Sequence, residues 1–258
     1  MSESLVVLED CGGYGCIQLN RTAKRNAMNA QARAELMAIL RDTRLRYRVL
    51  VITGRGDSFC SGMDLKEIAA RPETREMAAR EWTDVLLEIR RHPAIVIAAV
   101  NGIALGGGVS LINVADLAIA ADEAAIGMPE IGFGTYPGMA GPATQLMLSA
   151  KRASWMVLTG KRLDGKGAEQ WGLVTQSLPR AQLKQAAHEL ATHVAQFDAA
   201  ALSESKRALE MIPARISDWP SAFDFGQAVN ATIRAKTSAQ SEGLQRFASG
   251  GVNPGQGA

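Results

Sequence analysis

An α/β fold, with a helix-covered sheet followed by a purely helical region, is what this sequence predicts, and three observations carry the prediction. Short apolar runs alternate with amphipathic stretches of helical period from the N-terminus to about residue 180, the pattern of strands joined by helices. After Pro179 the strand-like runs stop, and the remainder is Ala-rich and helical. The 258 residues, 47% hydrophobic and 21% charged, can bury a sizeable core and do not have the composition of a disordered chain.

The elements follow in order. LVVL at 5–8 and CIQL at 16–19 flank Gly12, Gly13 and Gly15 and predict a hairpin. Residues 29–40 begin with Asn29 as a candidate N-cap and place Leu36, Ile39 and Leu40 at helical spacing. The basic run RDTRLRYR at 41–48 reads as the solvated end of that helix, where positive charge suits the helix dipole, rather than as a binding patch. RVLVITG at 48–54 reads as a buried strand closed by glycine. Residues 73–91 form an amphipathic helix with Ala78, Trp82, Val85, Leu86 and Ile89 on one face. AIVIAAVNG at 94–102 and LAIAAD at 117–122 are further buried strands, with a helix over 107–115 between them. Beyond Pro179, helices are expected at 181–196, 199–211 and 222–247, with breaks near Phe197–Asp198 and from Pro213 to Pro220. Residues 1–199 are read as the α/β core and 200–258 as a helical appendage ending in a flexible tail, SGGVNPGQGA. No internal sequence repeat is visible.

Composition narrows the chemistry. Lys and Arg number 28 against 26 Asp and Glu, a formal charge of +2, so neither nucleic acid nor a membrane surface is an expected partner. The longest apolar stretch, AIVIAAV at 94–100, is far short of the roughly 20 residues of a membrane span. Cys11, Cys16 and Cys60 are an odd set, and the N-terminal residues carry acids and no basic segment, so reduced thiols in a cytoplasmic protein are expected. His92, His188 and His193 lie far from any cysteine in no metal-binding spacing, so no metal site is expected. The chemistry is therefore expected to use carboxylates, hydroxyls and backbone groups.

Two glycine-bearing segments stand out: FCSGMDLKE at 59–67 and NGIALGGGVS at 101–110. The second matches neither a dinucleotide fingerprint nor a P-loop, because it lacks both the GK[ST] end and a following acidic residue. Consecutive glycines at a helix start leave N–H groups unpaired and able to stabilise an oxyanion, or they simply allow helix and sheet to pack closely; spacing alone does not separate the two. Taken with LNRTAKRNAMN at 19–29, IGMPEIGFGTYPG at 126–138 and LTGKRLDGKGAEQWGLV at 158–174, these segments resemble the crotonase family of enoyl-CoA hydratases and isomerases, in the family's order and spacing over roughly residues 5–250.

The resemblance implies a ββα spiral core with a C-terminal helical region used for assembly into a homotrimer or a dimer of trimers. It also implies an acyl-CoA substrate, with coenzyme A arriving as part of the thioester and no permanently bound cofactor. Two backbone amides would hold the thioester oxygen of an enolate; they fall on Met63 and Gly107. The CoA moiety would meet Lys24, Arg25 and Ala27 and the stretch Ser61–Leu65, with Asp64 more a holder of its own loop than a reacting group. Lys66 would either face a CoA phosphate or be solvated. Of the two glutamates of the hydratases, the first position is Ser110 here and the second is Glu130. That single-carboxylate pattern is similar to enoyl-CoA isomerases and to hydroxycinnamoyl-CoA hydratase-lyases. The lyase's phenol-recognising tyrosines have no counterpart; Tyr136 is either a positioner of a water or substrate oxygen or a packing residue. Residues 131–149 contain no Asp or Glu, which disfavours the family's dehalogenases and dienoyl isomerases. Phe133, Met128, Met139, Trp82 and Leu86 are the acyl-pocket candidates, with core packing the expected role of the last two. A non-catalytic binding member of the fold is the remaining alternative.

Overall fold

The protein is described by a computed structural model over residues 4–254. The expected hairpin is β1 (Val6–Asp10) and β2 (Gly15–Leu19), paired antiparallel with Asp10 opposite Gly15. It is followed by a 3-10 turn at Thr22–Lys24 and helix α1 (Ala30–Asp42), whose Asn29 cap accepts from the Ala32 amide. Strands β3 (Val49–Gly54), β5 (Ile95–Val100), β7 (Leu117–Ala121) and β9 (Gln176–Leu178) extend the sheet in parallel, in the order β1-β2-β3-β5-β7-β9. A second sheet of three short parallel strands, β4 (Ser58–Cys60), β6 (Ile103–Leu105) and β8 (Ala125–Gly127), runs alongside.

Each long strand is thus followed at once by a short one and then by helix. β3 and β4 lead to α2 (Leu65–Ala70) and α3 (Arg75–Arg91). β5 and β6 lead to α4 (Gly107–Val114). β7 and β8 lead to a 3-10 helix at Pro129–Phe133, α5 (Ala140–Met147), α6 (Ala150–Thr159) and α7 (Gly165–Trp171). This is the ββα spiral, turned three times with no repeat in the sequence.

The core explains why β3 as far as Ile52, and β5 throughout, are apolar. Side chains alternate across a strand. Leu50, Ile52, Val96, Ala98 and Val100 enter the main core, while Val49, Val51, Ile95, Ile97 and Ile119 face α8 (Arg180–Ala195), which offers Leu183, Ala187 and Ala191. A strand covered on both faces leaves no polar alternation. On α3, Ala78, Trp82, Val85, Leu86 and Ile89 are the buried set, as the periodicity requires.

The basic run ends α1 in solvent-facing ion pairs, Arg44 with Glu88 and Arg46 with Asp10, while Arg48 donates to the Ala195 carbonyl. Two expectations need correction in the C-terminal helices. Pro213 does not end α9 (Ala199–Arg215): it forgoes one hydrogen bond within the last turn, which the helix tolerates. The segment 222–247 is not continuous but forms α10 (Trp219–Lys236) and α11 (Ala239–Ala248). Thr237 is extended between them, its hydroxyl donating to Asp198 and accepting from the Ala239 amide. A local side-chain bond of this kind competes with helix continuation. The tail is tied back through Asn253 to Arg246 and Gly243, and residues 255–258 lie outside the described residues. No helix among the described residues is long and apolar enough to cross a membrane.

One buried ion pair fastens α9 to the core. The Lys206 ammonium, 7% exposed, donates to Asp116 at 2.8 Å and to the Ile89 and Ala94 carbonyls at 3.1 Å, while Asp116 also accepts from the Val96 amide. Removing one partner strands the rest in low dielectric. Lys206→Met is expected to destabilise the protein by about 3–5 kcal/mol, read as a lower midpoint of urea unfolding.

Candidate active site

Three segments meet because β4, β6 and β8 are parallel neighbours, Ser58 beside Ile103 and Leu105 beside Gly127, with a register shift between Ser58 and Cys60. The residues just past their C-terminal ends come together there: Gly62 and Met63 after β4, Gly106 and Gly107 after β6, and Glu130 after β8. Open parallel sheets place ligand sites at this end of their strands.

Met63 forms a parallel bridge with Met28, in which Met28 donates to the Gly62 carbonyl at 2.8 Å and accepts from the Asp64 amide at 3.0 Å. The partners of that bridge are residues 62 and 64, so the Met63 amide points the other way, toward the cleft it lines. Gly107 opens α4, where first-turn amides have no helical acceptor. The two approach closely: at Gly62, where φ is 90°, a Cβ would stand 2.7 Å from the Leu105 oxygen and 3.1 Å from the Gly107 nitrogen. No side chain fits at that contact.

Glu130 lies on the 3-10 helix Pro129–Phe133, and its carboxyl abuts Gly106 so closely that a Cβ there would be 2.5 Å from Oε1. Its Oε2 is buried without a hydrogen-bond partner, and burial pushes the carboxyl above its ordinary value of 4.5. An acid poised this way, with no cation to hold it ionised, is suited to take and return a proton.

The cleft that Glu130, Met63 and Gly107 share has a volume of about 520 Å³. Leu65, Ile68, Phe133 and Met139 supply apolar wall, and Thr135 and Tyr136 supply hydroxyls. Tyr136 rests on Gly141, and its Oη accepts from Gln145 at 2.7 Å, leaving its own proton free to donate. Met128 does not line the cleft: it is fully buried beneath Thr144, whose hydroxyl contacts its sulfur. Trp82 and Leu86 are core residues, although the Trp82 indole nitrogen backs Gly107, 3.1 Å from the position a Cβ would occupy. Ser110, one turn along α4, is 0% exposed, does not line the cleft and leaves its hydroxyl without a partner.

Ser61 joins the cleft to the loop before it. Its amide donates to the Arg25 carbonyl at 3.0 Å and its hydroxyl to the Lys24 carbonyl at 3.3 Å. Lys24, Arg25 and Lys66 are exposed and make no ion pair with any described residue, whereas Ala27 is buried. Asp64 caps α2 by accepting from the Lys66 and Glu67 amides and pairs with Arg21 at 2.6 Å. Burial works to raise its pKa, but Arg21 and those amides outweigh it and hold the carboxyl below its usual range.

Two residues that support this region, Asn26 in the loop and Arg33 on α1, were not among the sequence candidates. Arg25 and Asn26 both have positive φ, and the buried Asn26 side chain holds the turn by accepting from the Arg21 amide and donating to the Arg55 and Ser58 carbonyls. Arg33 is buried on α1 and ties Glu67, Glu81 and the Met28 carbonyl together. Asn in left-handed backbone is a usable signal in principle; nothing local marks Arg33.

The histidines are placed elsewhere. His92 is buried between the Leu40 carbonyl and the Ala94 amide, with burial and then Lys206 holding it down to about 4. His188 meets Tyr14, and His193 packs on Phe197. Among the described residues no three of His, Cys, Asp and Glu stand together as a metal group would need.

The pattern of the family described as Enoyl-CoA hydratase/isomerase matches residues 11–251. The chain is 36% identical to a hydroxycinnamoyl-CoA hydratase-lyase of Pseudomonas fluorescens, over 78% of this chain and 75% of that one. It is 37% identical to a mevalonyl-coenzyme A hydratase, sidH, of Aspergillus fumigatus, over 69% and 67%. The crystal structure of an enoyl-CoA hydratase from Bacillus anthracis superposes with a TM-score of 0.90 at 28% identity, covering 98% of this chain and all of the other.

Proposed function

The chain belongs to the enoyl-CoA hydratase/isomerase family, and on that premise we propose that it acts on an acyl-CoA thioester through an enolate, with Glu130 as the one general acid/base. The observation that carries this is the half-buried Glu130 carboxyl, its Oε2 buried without a partner and its Oε1 set against Gly106, in the same cleft that Met63 and Gly107 line. The two amide N–H groups would donate to the thioester oxygen as negative charge develops on it, a contribution typically worth about 2.7–4 kcal/mol per donor. Glu130 takes the proton from C2, the electron pair moves into the enolate, and the same carboxyl returns the proton at C4 of a 3-enoyl chain, shifting the double bond, or to an oxygen leaving from C3. Coenzyme A enters as part of the substrate, with Lys24, Arg25, Ala27, Ser61, Leu65 and Lys66 around its path and Asp64 holding the loop. With Ser110 in place of a second glutamate, Glu130 is the only carboxylate among the described residues that line the cleft.

A hydratase-lyase is the second reading. The similarity to the Pseudomonas fluorescens enzyme and the free Tyr136 proton beside Glu130 favour it, since C–C cleavage needs a group to manage the substrate oxygen. We further propose self-association into trimers or a dimer of trimers, supported by Leu209, Trp219, Phe223, Leu244 and Phe247 standing exposed on α9–α11.

The deciding experiment supplies 2-enoyl-, 3-enoyl- and cinnamoyl-CoA in D₂O. Double-bond migration with deuterium uptake and no added water identifies an isomerase, a 3-hydroxyacyl product a hydratase, and an aldehyde with acetyl-CoA a lyase. Failure to turn over or bind any thioester would overturn the reading.

A further inference from the structure

The cleft holds a charge that the proposed reaction does not use. Of the residues lining it, only Glu130 and Arg75 are charged. Arg75 makes no side-chain hydrogen bond and no ion pair with any described residue. It also stands in the first turn of α3, where the helix dipole disfavours a cation. Its acidic sequence neighbours Glu73 and Glu76 do not pair with it. Arg75 is exposed to solvent, and among the described residues it is the one cation on a largely apolar cleft, held there by no ion pair.

Its place along the cleft is set by α3. Arg75, Ala79 and Trp82 follow one another at i, i+4 and i+7 and share a face. Trp82 backs Gly107, Ala79 lines the wall, and Arg75 lies about 10 Å along the helix from Trp82 at 1.5 Å per residue. The candidate CoA-binding cations are on a different wall, on the loop that Ser61 bonds through the Lys24 and Arg25 carbonyls. Arg75 therefore lies on a wall separate from those cations, about 10 Å along α3 from the residue that backs Gly107.

Resting on the acyl-CoA reading above, we propose that Arg75 is a specificity-determining residue that binds an anionic group at the distal end of the acyl chain, and that the substrate class is CoA thioesters carrying a terminal carboxylate. Guanidinium and carboxylate match in two-point hydrogen-bonding geometry, which an ammonium does not reproduce.

The test compares adipoyl-CoA and hexanoyl-CoA, equal in chain length and differing in the terminal carboxylate, by calorimetric titration of the full chain. Wild-type protein is expected to bind adipoyl-CoA at least tenfold more tightly. Arg75→Met is expected to bring that ratio close to one, and Arg75→Lys to keep part of it. A wild-type ratio near one overturns the proposal. So does an Arg75→Met variant that weakens both thioesters and free coenzyme A alike, which would place the guanidinium on the CoA moiety. Turnover of the corresponding 2-enoyl thioesters separates the two ideas. Binding preference without turnover overturns the catalytic reading and leaves the anion site standing. Turnover without preference overturns the anion site alone, and no thioester binding at all overturns both.

Discussion

Glu130→Gln should lower turnover about 10²–10⁴-fold, the ordinary worth of a positioned acid/base, while leaving CoA-thioester affinity within a few-fold of wild type. Glutamine keeps the shape beside Gly106 and removes only the ability to take a proton. The variant should also be more stable at neutral pH. Burial raises the folded-state pKa of Glu130, so the folded protein binds that proton more tightly than the unfolded chain does. Its contribution to stability is therefore full below the unfolded pKa and is lost as pH rises through the raised folded value. The thermal advantage of Glu130→Gln should appear above that range and vanish well below it. The acid limb of wild-type kcat/KM should lie above 4.5 for the same reason. Wild-type turnover in the variant would remove Glu130 from the mechanism. Ser110→Ala should be far milder, because its hydroxyl neither lines the cleft nor bonds to anything.

Gly106→Ala is the second large effect. Gly106 has φ 50° and ψ −108°, a conformation essentially closed to other residues, and a Cβ would come within 2.5 Å of the Glu130 carboxylate oxygen. The backbone strain is expected to cost about 1–3 kcal/mol of stability. The displaced carboxylate should cost about 10²-fold in kcat, the penalty of a misplacement on the order of 1 Å. Gly132→Ala, on the same short helix as Glu130 but with nothing within 4 Å of its Cβ, is the matched control and should stay within about 0.5 kcal/mol of wild type. Comparing kcat and thermal midpoints of the two variants checks the argument; equal behaviour would refute the contact.

The elements that sequence reasoning found are those whose signal is local and long. The α3 stripe of Ala78, Trp82, Val85, Leu86 and Ile89 is five matches to one period, and β3 and β5 are apolar runs too dense to be surface. The second sheet was missed because each of β4, β6 and β8 is three residues long, too short for a period to show. The split at Thr237 depended on Asp198, 39 residues away, and Arg33 gains its role only when α2 and α3 bring Glu67 and Glu81 to it. Met128 is an acyl-contact candidate in the sequence, yet its side chain is fully buried against Thr144.

By itself the sequence determined the family and the α/β class and named the candidate groups: the Met63 and Gly107 amides, a lone glutamate at 130 and a serine at 110. Only the tertiary structure decided their relations. It put the Glu130 carboxyl against Gly106, turned the Met63 amide toward the cleft, withdrew Ser110 from it and gave Arg75 a wall of it. The physical reason is that residue type and period are written along the chain, whereas proximity comes from pairing between β4, β6 and β8, whose register is set by contacts distant in sequence.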